Sequence, residues 1–349
     1  MLLTLLYSYE YDTSWFNYSC RAGYKYQEVA VSNQQIQKVK VKRLAHIGLW
    51  ATDVLLQARF YHQVLGLDLR TTSDAPSDLD LEEANLFFAL DDEPYCLGLF
   101  YDNRPIVNNG RKPVVRSPLH HLAFTVDTDA ELAALAARLQ MAGVEVVFGP
   151  REGEPEQGDA LWLSDPDGNR IAVTVASDEL FPPTGTTHTR RSSLRPQVLQ
   201  HIALNTPQLE EMVEFYTEAL GFDISDWLLR ERAWLRCNAN HHTVMFTQGQ
   251  PGIDHIGFTI ADNNDIVRWA DLLYQQEVQI LWGPGRHGAG NDLFVRFANP
   301  DGTHIELSAG LQQYHDRDVT IAPRLWHTRT SALNLWGVMP SWLREEVQV

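Results

Sequence analysis

Three residues of this chain have types and spacing that suit a metal: His201 in LQHIALN, His255 in IDHIGFTI and Glu306 in PDGTHIELS. Each stands in a short apolar or alternating run, so each is predicted on a strand. Two imidazoles and one carboxylate form the donor set of a non-haem Fe(II) centre, which leaves coordination positions open for a substrate and O2. Mn(II) takes the same ligands. His242, in NHHTVMF, would serve beside a metal as an acid or base. His241 precedes it, and strand alternation sends the two side chains to opposite faces, one of them merely solvated. A single strand histidine is more often a half-buried side chain bonded to backbone. The three together, in register with an internal repeat, read as ligands. His304 alternates onto the face of Glu306 and is either a neighbour of the site or a rival ligand.

Strands and helices in a repeated order must position these groups. KRLAHIGLW (42–50) is predicted as a strand, and a helix follows from about Asp53, with Leu55, Leu56, Phe60, Val64 and Leu65 available for its buried side. Gly66 stops that helix. NLFFAL and YCLGLF are further strands. HHLAFTV (120–126) opens a second such unit, with a helix over 129–142 and strands at VEVVFG, ALWLSD and NRIAVTV. LQHIALN opens a third, with a helix over 209–220 stopped by Gly221, and IDHIGFTI a fourth, with a helix over 264–276. His46 and His201 lie 155 positions apart, as do FYHQVLGL and FYTEALGF. His121 and His255 lie 134 apart, as do the two Gly-Pro pairs at 149 and 283 and the two Pro-Asp-Gly turns at 166 and 300.

The chain is therefore a duplication. Its predicted layout is an extension over 1–42, a half over 43–177, a linker over 178–197, a second half over 198–309 and a tail over 310–349. The tail carries Trp326, Trp336 and Trp342, which would cover the mouth of the site, pack on another subunit or pack on their own domain. The halves differ where it matters. The first keeps His46 and His121, but Ala172 stands where the second has Glu306, and Cys96 is laid on His242. The first half is thus expected to lack a complete metal site, with His46 and His121 as relics or core residues.

Composition narrows the class. At 349 residues and 44% hydrophobic content, with ten Trp and fourteen Phe, the chain can build two cores. A formal charge of −17 argues against nucleic acid or an anionic membrane as partner. No apolar run approaches the roughly 20 residues that span a bilayer. The opening MLLTLLY lacks a basic segment and runs straight into Tyr, Glu and Asp, so it is not read as a signal peptide. Three widely spaced cysteines fit a reducing compartment, and a cytoplasmic protein is expected.

The HIAL strand, the CNANHHT segment, the DHIGF strand, the GPGRHG loop and the PDGTHIEL strand resemble the vicinal oxygen chelate superfamily. More narrowly they resemble its type I extradiol ring-cleavage dioxygenases, over about residues 43–309. The resemblance implies an α+β fold of four βαβββ modules in two halves. It also implies Fe(II) on His201, His255 and Glu306, and a histidine at His242 that stabilises bound oxygen and moves a proton. His287, in GRHG, would lie near a substrate oxygen. Family enzymes carry a tyrosine ten residues before the glutamate, where this chain has Arg296. An arginine cannot act as a base, but it can hold a deprotonated diol or a carboxylate through charge-assisted hydrogen bonds. The implied reaction is O2-dependent ring opening of a catecholic or related dihydroxylated aromatic, by a homo-oligomer whose partners are the small aromatic diol and O2. Two other readings stay open: a metal-dependent lyase or isomerase of the glyoxalase kind, and a metal-free binding protein.

Overall fold

In the computed structural model the four units are laid out as two mixed sheets. Residues 39–70, 84–91, 94–104, 117–151, 153–155, 158–176, 194–315 and 321–343 are described. The first module is β1 (Arg43–Ala51), α1 (Val54–Arg59), β2 (Asp68–Arg70), β3 (Leu86–Ala89) and β4 (Leu97–Tyr101). The second is β5 (Leu119–Val126), α2 (Asp129–Met141), β6 (Val147–Pro150), β7 (Asp159–Ser164) and β8 (Arg170–Val175). Together they form a sheet of order β2-β3-β4-β1-β5-β8-β7-β6. The third module is β9 (Val198–Thr206), α3 (Leu209–Glu214), β10 (Asp223–Leu228), β11 (Arg232–Arg236) and β12 (Val244–Gln248). The fourth is β13 (Gly252–Thr259), α4 (Asp265–Gln275), β14 (Ile280–Arg286), β15 (Leu293–Ala298) and β16 (His304–Ala309). In both sheets the first strands of the two modules pair antiparallel at the centre, β1 with β5 and β9 with β13. The histidines of interest lie on these four strands.

The helices form where local chemistry favours them. Asp53 caps α1 by accepting from the Leu56 amide at 2.8 Å, and Thr128 caps α2 by accepting from Glu131 at 3.2 Å. Helices α1 and α3 each continue into a π turn, Phe60–Val64 and Phe215–Ala219. Both then stop at a glycine with positive φ, +74° at Gly66 and +81° at Gly221, a conformation that side chains resist. One apolar core runs through both halves, from Ile47 and Phe124 to Phe246 and Phe297. Each fully buried aromatic contributes about 2–3 kcal/mol by leaving water.

The contacts between the halves repeat as the sequence does. Tyr61 of the first half accepts from Asn299 Nδ2 of the second at 3.1 Å. Its counterpart Tyr216 donates to Asp165 Oδ2 of the first half at 3.3 Å. Each buried phenol thus meets the turn of the opposite half.

Two sequence-drawn boundaries look different in the structure. Residues Val39 and Val41 are buried in the shared core, and the Val41 amide donates to the Leu220 carbonyl at 3.2 Å. The rest of the predicted extension, and most of the predicted linker, lie outside the described residues. The tail belongs to the second sheet. Strand β17 (Arg324–Trp326) pairs parallel with β10, and α5 (Arg329–Leu333) follows it. Trp326 is held on its own domain by a 2.6 Å bond to Asp226, whereas Trp336 and Trp342 are half exposed. Among the described residues no helix is long and apolar enough to cross a membrane.

Candidate metal centre

Two β-bulges build the centre. The pairing of β9 with β13 slips at Gln200 and again at Asp254, the residues just before His201 and His255. A bulge re-aims side chains that strict alternation would send to opposite faces. Here each bulge residue turns back on its histidine. The His201 Nδ1–H donates to Gln200 Oε1 at 3.0 Å, and the His255 Nδ1–H donates to Asp254 Oδ1 at 2.5 Å. Gln200 is itself fixed, donating to Thr259 and accepting from Ser308. Both Nε2 lone pairs are thereby turned inward, 3.0 Å apart. The His201 ring has room because Gly257 faces it on the neighbouring strand; a methyl group there would collide with the ring.

Glu306 on β16 completes the group. One carboxylate oxygen lies 3.7 Å from His201 Nε2 and 3.8 Å from His255 Nε2. The three residues are at most 2% exposed. Donors bonded to one ion at about 2.1 Å and at right angles sit about 3 Å apart, so this convergence fits a divalent cation. With both Nδ1 nitrogens donating, two lone pairs face each other at 3.0 Å, an arrangement that a cation between them relieves. Burial, with the neighbouring His255, lowers the His201 pKa to about 3, and burial with Arg296 lowers that of His255. Neutral imidazole is the form that binds metal. Burial alone would raise the Glu306 pKa, but Arg296, His255 and His287 hold it well below the carboxylate range.

The remaining predicted residues gather round this point. Arg296 on β15 stands directly across from Glu306 and donates to its Oε2 from Nη2 at 2.5 Å and from Nε at 3.1 Å. It also donates to Asp254 at 3.0 Å and from Nη2 to His255 Nε2 at 3.3 Å. His287, just past β14, stacks on Phe294 and donates from Nδ1 to the Leu333 carbonyl at 2.6 Å. Its Nε2 points to Glu306 Oε2 at 3.4 Å. Burial opposes a charge on His287, yet Glu306 and Asp292 raise its pKa above the usual value. The His242 ring lies 4.4 Å from that of His201. Neither member of the His241–His242 pair is solvated: they are 0% and 4% exposed. The segment is a bend before β12, not strand, so alternation does not apply. His241 turns instead to Asp226, 3.2 Å away. His304 stays outside the converging donors, its ring 5.7 Å from Trp342. A small cavity of about 20 Å³ meets His242, His255, His287, Arg296 and Glu306, with Arg232 as a further cation in its wall and Ala332 and Leu333 of α5 as its roof.

Sequence reasoning missed Asp254, Gln200 and Arg232. The signal for the first was an acidic residue next to a histidine, but only the bulge puts both on one side of the sheet. It also missed a carboxylate in the first half. Ala172 does occupy the strand position of the missing carboxylate, paired with Ala123 and Trp162. A carboxylate nevertheless arrives, from Glu154 in the loop between β6 and β7, 3.3 Å from His121 Nε2. The equivalence of Cys96 with His242 is off by one residue. Ile47 pairs with Leu97 as Ile202 pairs with Val244, so the counterpart of His242 is Tyr95.

The sequence pattern of the Glyoxalase/Bleomycin resistance protein/Dioxygenase superfamily matches residues 43–173 and 198–307. The chain belongs to this superfamily. Among its relatives are metapyrocatechase 2 of Cupriavidus necator, 26% identical over 78% of this chain and 82% of that one, and an iron-dependent extradiol dioxygenase of Rhodococcus jostii, 26% identical over 86% and 97%. A solved structure of a Mn(II)-bound glyoxalase from Novosphingobium aromaticivorans is similar with a TM-score of 0.70 and 26% identity, covering 86% of this chain and 92% of that one. The family and the α+β fold of duplicated modules implied by the sequence are borne out, and relatives of the superfamily's dioxygenase branch are among the matches.

Proposed function

We propose that this chain is an Fe(II)-dependent extradiol dioxygenase that opens the ring of a dihydroxylated aromatic with O2. The observation that carries the proposal is the convergence of His201, His255 and Glu306 beside a small cavity that His255 and Glu306 line together with His242 and His287. The names of the relatives support it. A ferrous ion held by these three donors would supply open positions for diol and O2 and a redox path between them.

The protein's own groups then have distinct tasks. His255 and His201 are held with Nε2 inward by Asp254 and Gln200, so the donor face is set before anything binds. His242, neutral through burial and the nearby His201 and His241, faces the cavity and is placed to donate a hydrogen bond to oxygen and to pass a proton. His287 is anchored through Nδ1–H, and in the imidazolium form that Glu306 and Asp292 favour its Nε2–H is directed at the centre, where it can bond a substrate oxygen. Arg296 orients Glu306 and adds a fixed positive charge beside the position of an ionised diol. Arg232 makes no side-chain hydrogen bond among the described residues and is 6% exposed, so the cavity favours a diol with an acidic substituent.

The test is O2 uptake by anaerobically Fe(II)-loaded protein against a panel of catechols with neutral and acidic substituents. Uptake matched by a coloured ring-opened product, abolished in Glu306→Ala, is expected. Tight metal binding without uptake across the panel would instead support a lyase or isomerase of the glyoxalase kind. That second reading draws on Arg296 standing in place of the tyrosine, and on the likeness to the Mn(II)-bound glyoxalase.

A further inference from the structure

The first half holds a second convergence of donors that the reaction does not use. His46 Nε2 and His121 Nε2 face each other at 2.9 Å. Glu154 Oε1 is 3.3 Å from His121 Nε2, and Glu154 Oε2 is 3.8 Å from His46 Nε2. The corresponding separations in the second half are 3.0, 3.8 and 3.7 Å. Tyr95 stands where the second half has His242. Its ring lies 4.3 Å from His46, as His242 lies 4.4 Å from His201. Its hydroxyl donates to Glu154 Oε2 at 2.5 Å and lies 3.2 Å from His46 Nε2. His46, His121, Glu154 and Tyr95 are all less than 9% exposed.

The scaffold is shared too. The pairing of β1 with β5 slips at Ala45 and at His120, just before the two histidines, as that of β9 with β13 slips at Gln200 and Asp254. The bulge residue His120 again meets its neighbour, 2.6 Å from His121 Nδ1. The His121 ring lies over Gly48 and the His201 ring over Gly257, two glycines on opposite strands of their central pairs. Only the carboxylate has changed its source, from the last strand of the module to the loop corresponding to the one that carries His287.

The ligand atoms of His46, His121 and Glu154 all lie within 4.8 Å of one another, the convergence that a single ion requires. A cation at the centre would satisfy the two nitrogens and the carboxylate at once.

We propose that the first half binds a divalent transition-metal ion through His46 Nε2, His121 Nε2 and Glu154, with Tyr95 orienting the carboxylate. The site ties the loop bearing Glu154 to the central strands. It is independent of the catalytic reading.

The test uses the full chain, stripped with a chelator, then dialysed against Mn(II) and separately against Zn(II), with bound metal counted by mass spectrometry of the elements. Two ions per chain are expected for the native protein, one for Glu154→Gln or His46→Gln, and one for Glu306→Gln. One ion per chain in the native protein, unchanged by Glu154→Gln, would overturn the proposal. Should these variants fold poorly, native crystals grown with Mn(II) answer the same question by anomalous scattering. A peak between His46 and His121 is expected, and a lone peak among His201, His255 and Glu306 would refute it.

Discussion

At the scale of single residues, Asp254 has the largest hidden role. It receives the His255 Nδ1–H at 2.5 Å and Arg296 at 3.0 Å, so it fixes the tautomer of one donor and the position of the guanidinium that steers another. Partners of this kind typically tune metal affinity 10–100-fold. Asp254→Asn is therefore expected to weaken metal binding in the second half by about 10–100-fold, measured by competition with a chromogenic chelator, while leaving the far-UV spectrum unchanged. A loss of less than twofold would mean that Asp254 serves Arg296 alone. The residue types at 201, 255 and 306 were legible in the sequence because metal chemistry needs imidazole and carboxylate, and the repeat singled them out. Asp254 and Gln200 were not, because adjacent strand residues ordinarily face apart. Glu154 was hidden for another reason: the repeat directs attention to Ala172 on a strand, and the carboxylate comes from a loop.

At the scale of elements, the centre depends on a strand position that carries no side chain. Gly257 leaves the space filled by the His201 ring. Gly257→Ala is expected to displace that ring and abolish metal binding in the second half, read by equilibrium dialysis. The fold should survive with a cost of about 1–3 kcal/mol in chemical unfolding, as overpacking usually exacts. The tail strand β17 presents a different dependence. Asp226, fully buried, binds Arg324 at 2.8 and 3.0 Å, Trp326 at 2.6 Å and faces His241 at 3.2 Å. Asp226→Ala should release β17 and the α5 roof that holds His287 through Leu333. Limited proteolysis would then cut within residues 321–340 at a rate well above that of the native chain, and equal rates would show that α5 is held by its apolar contacts. Strands and helices were readable from their periodicity and their glycine stops. The tail was not, since its three-residue strand carries no period and takes its place only by pairing with β10.

At the scale of the whole molecule, the two halves share one core and exchange buried polar contacts, so their stabilities are linked. Asp165 is the titrating member of this seam. Burial raises its pKa to about 6 from the usual 3.8, against the opposing hydrogen bonds from Asn169. Because the folded state holds this proton more tightly, its stabilisation is full below about pH 4 and is lost as pH rises through about 6. The difference in unfolding free energy between the native chain and Asp165→Asn should therefore change by up to about 3 kcal/mol between those pH values, at 1.36 kcal/mol per pKa unit. Urea titrations at several pH values measure it, and a constant difference would place the proton elsewhere. The sequence by itself determined the duplication, the α+β modules and the candidate donors of the second half, because period, spacing and residue type are local properties that survive in one dimension. The tertiary structure alone decided which neighbours turn toward those donors, where the tail lies and that Glu154 and Tyr95 meet His46 and His121. Bulges, strand register and loop paths set these distances, and none of them leaves a periodic mark on the chain.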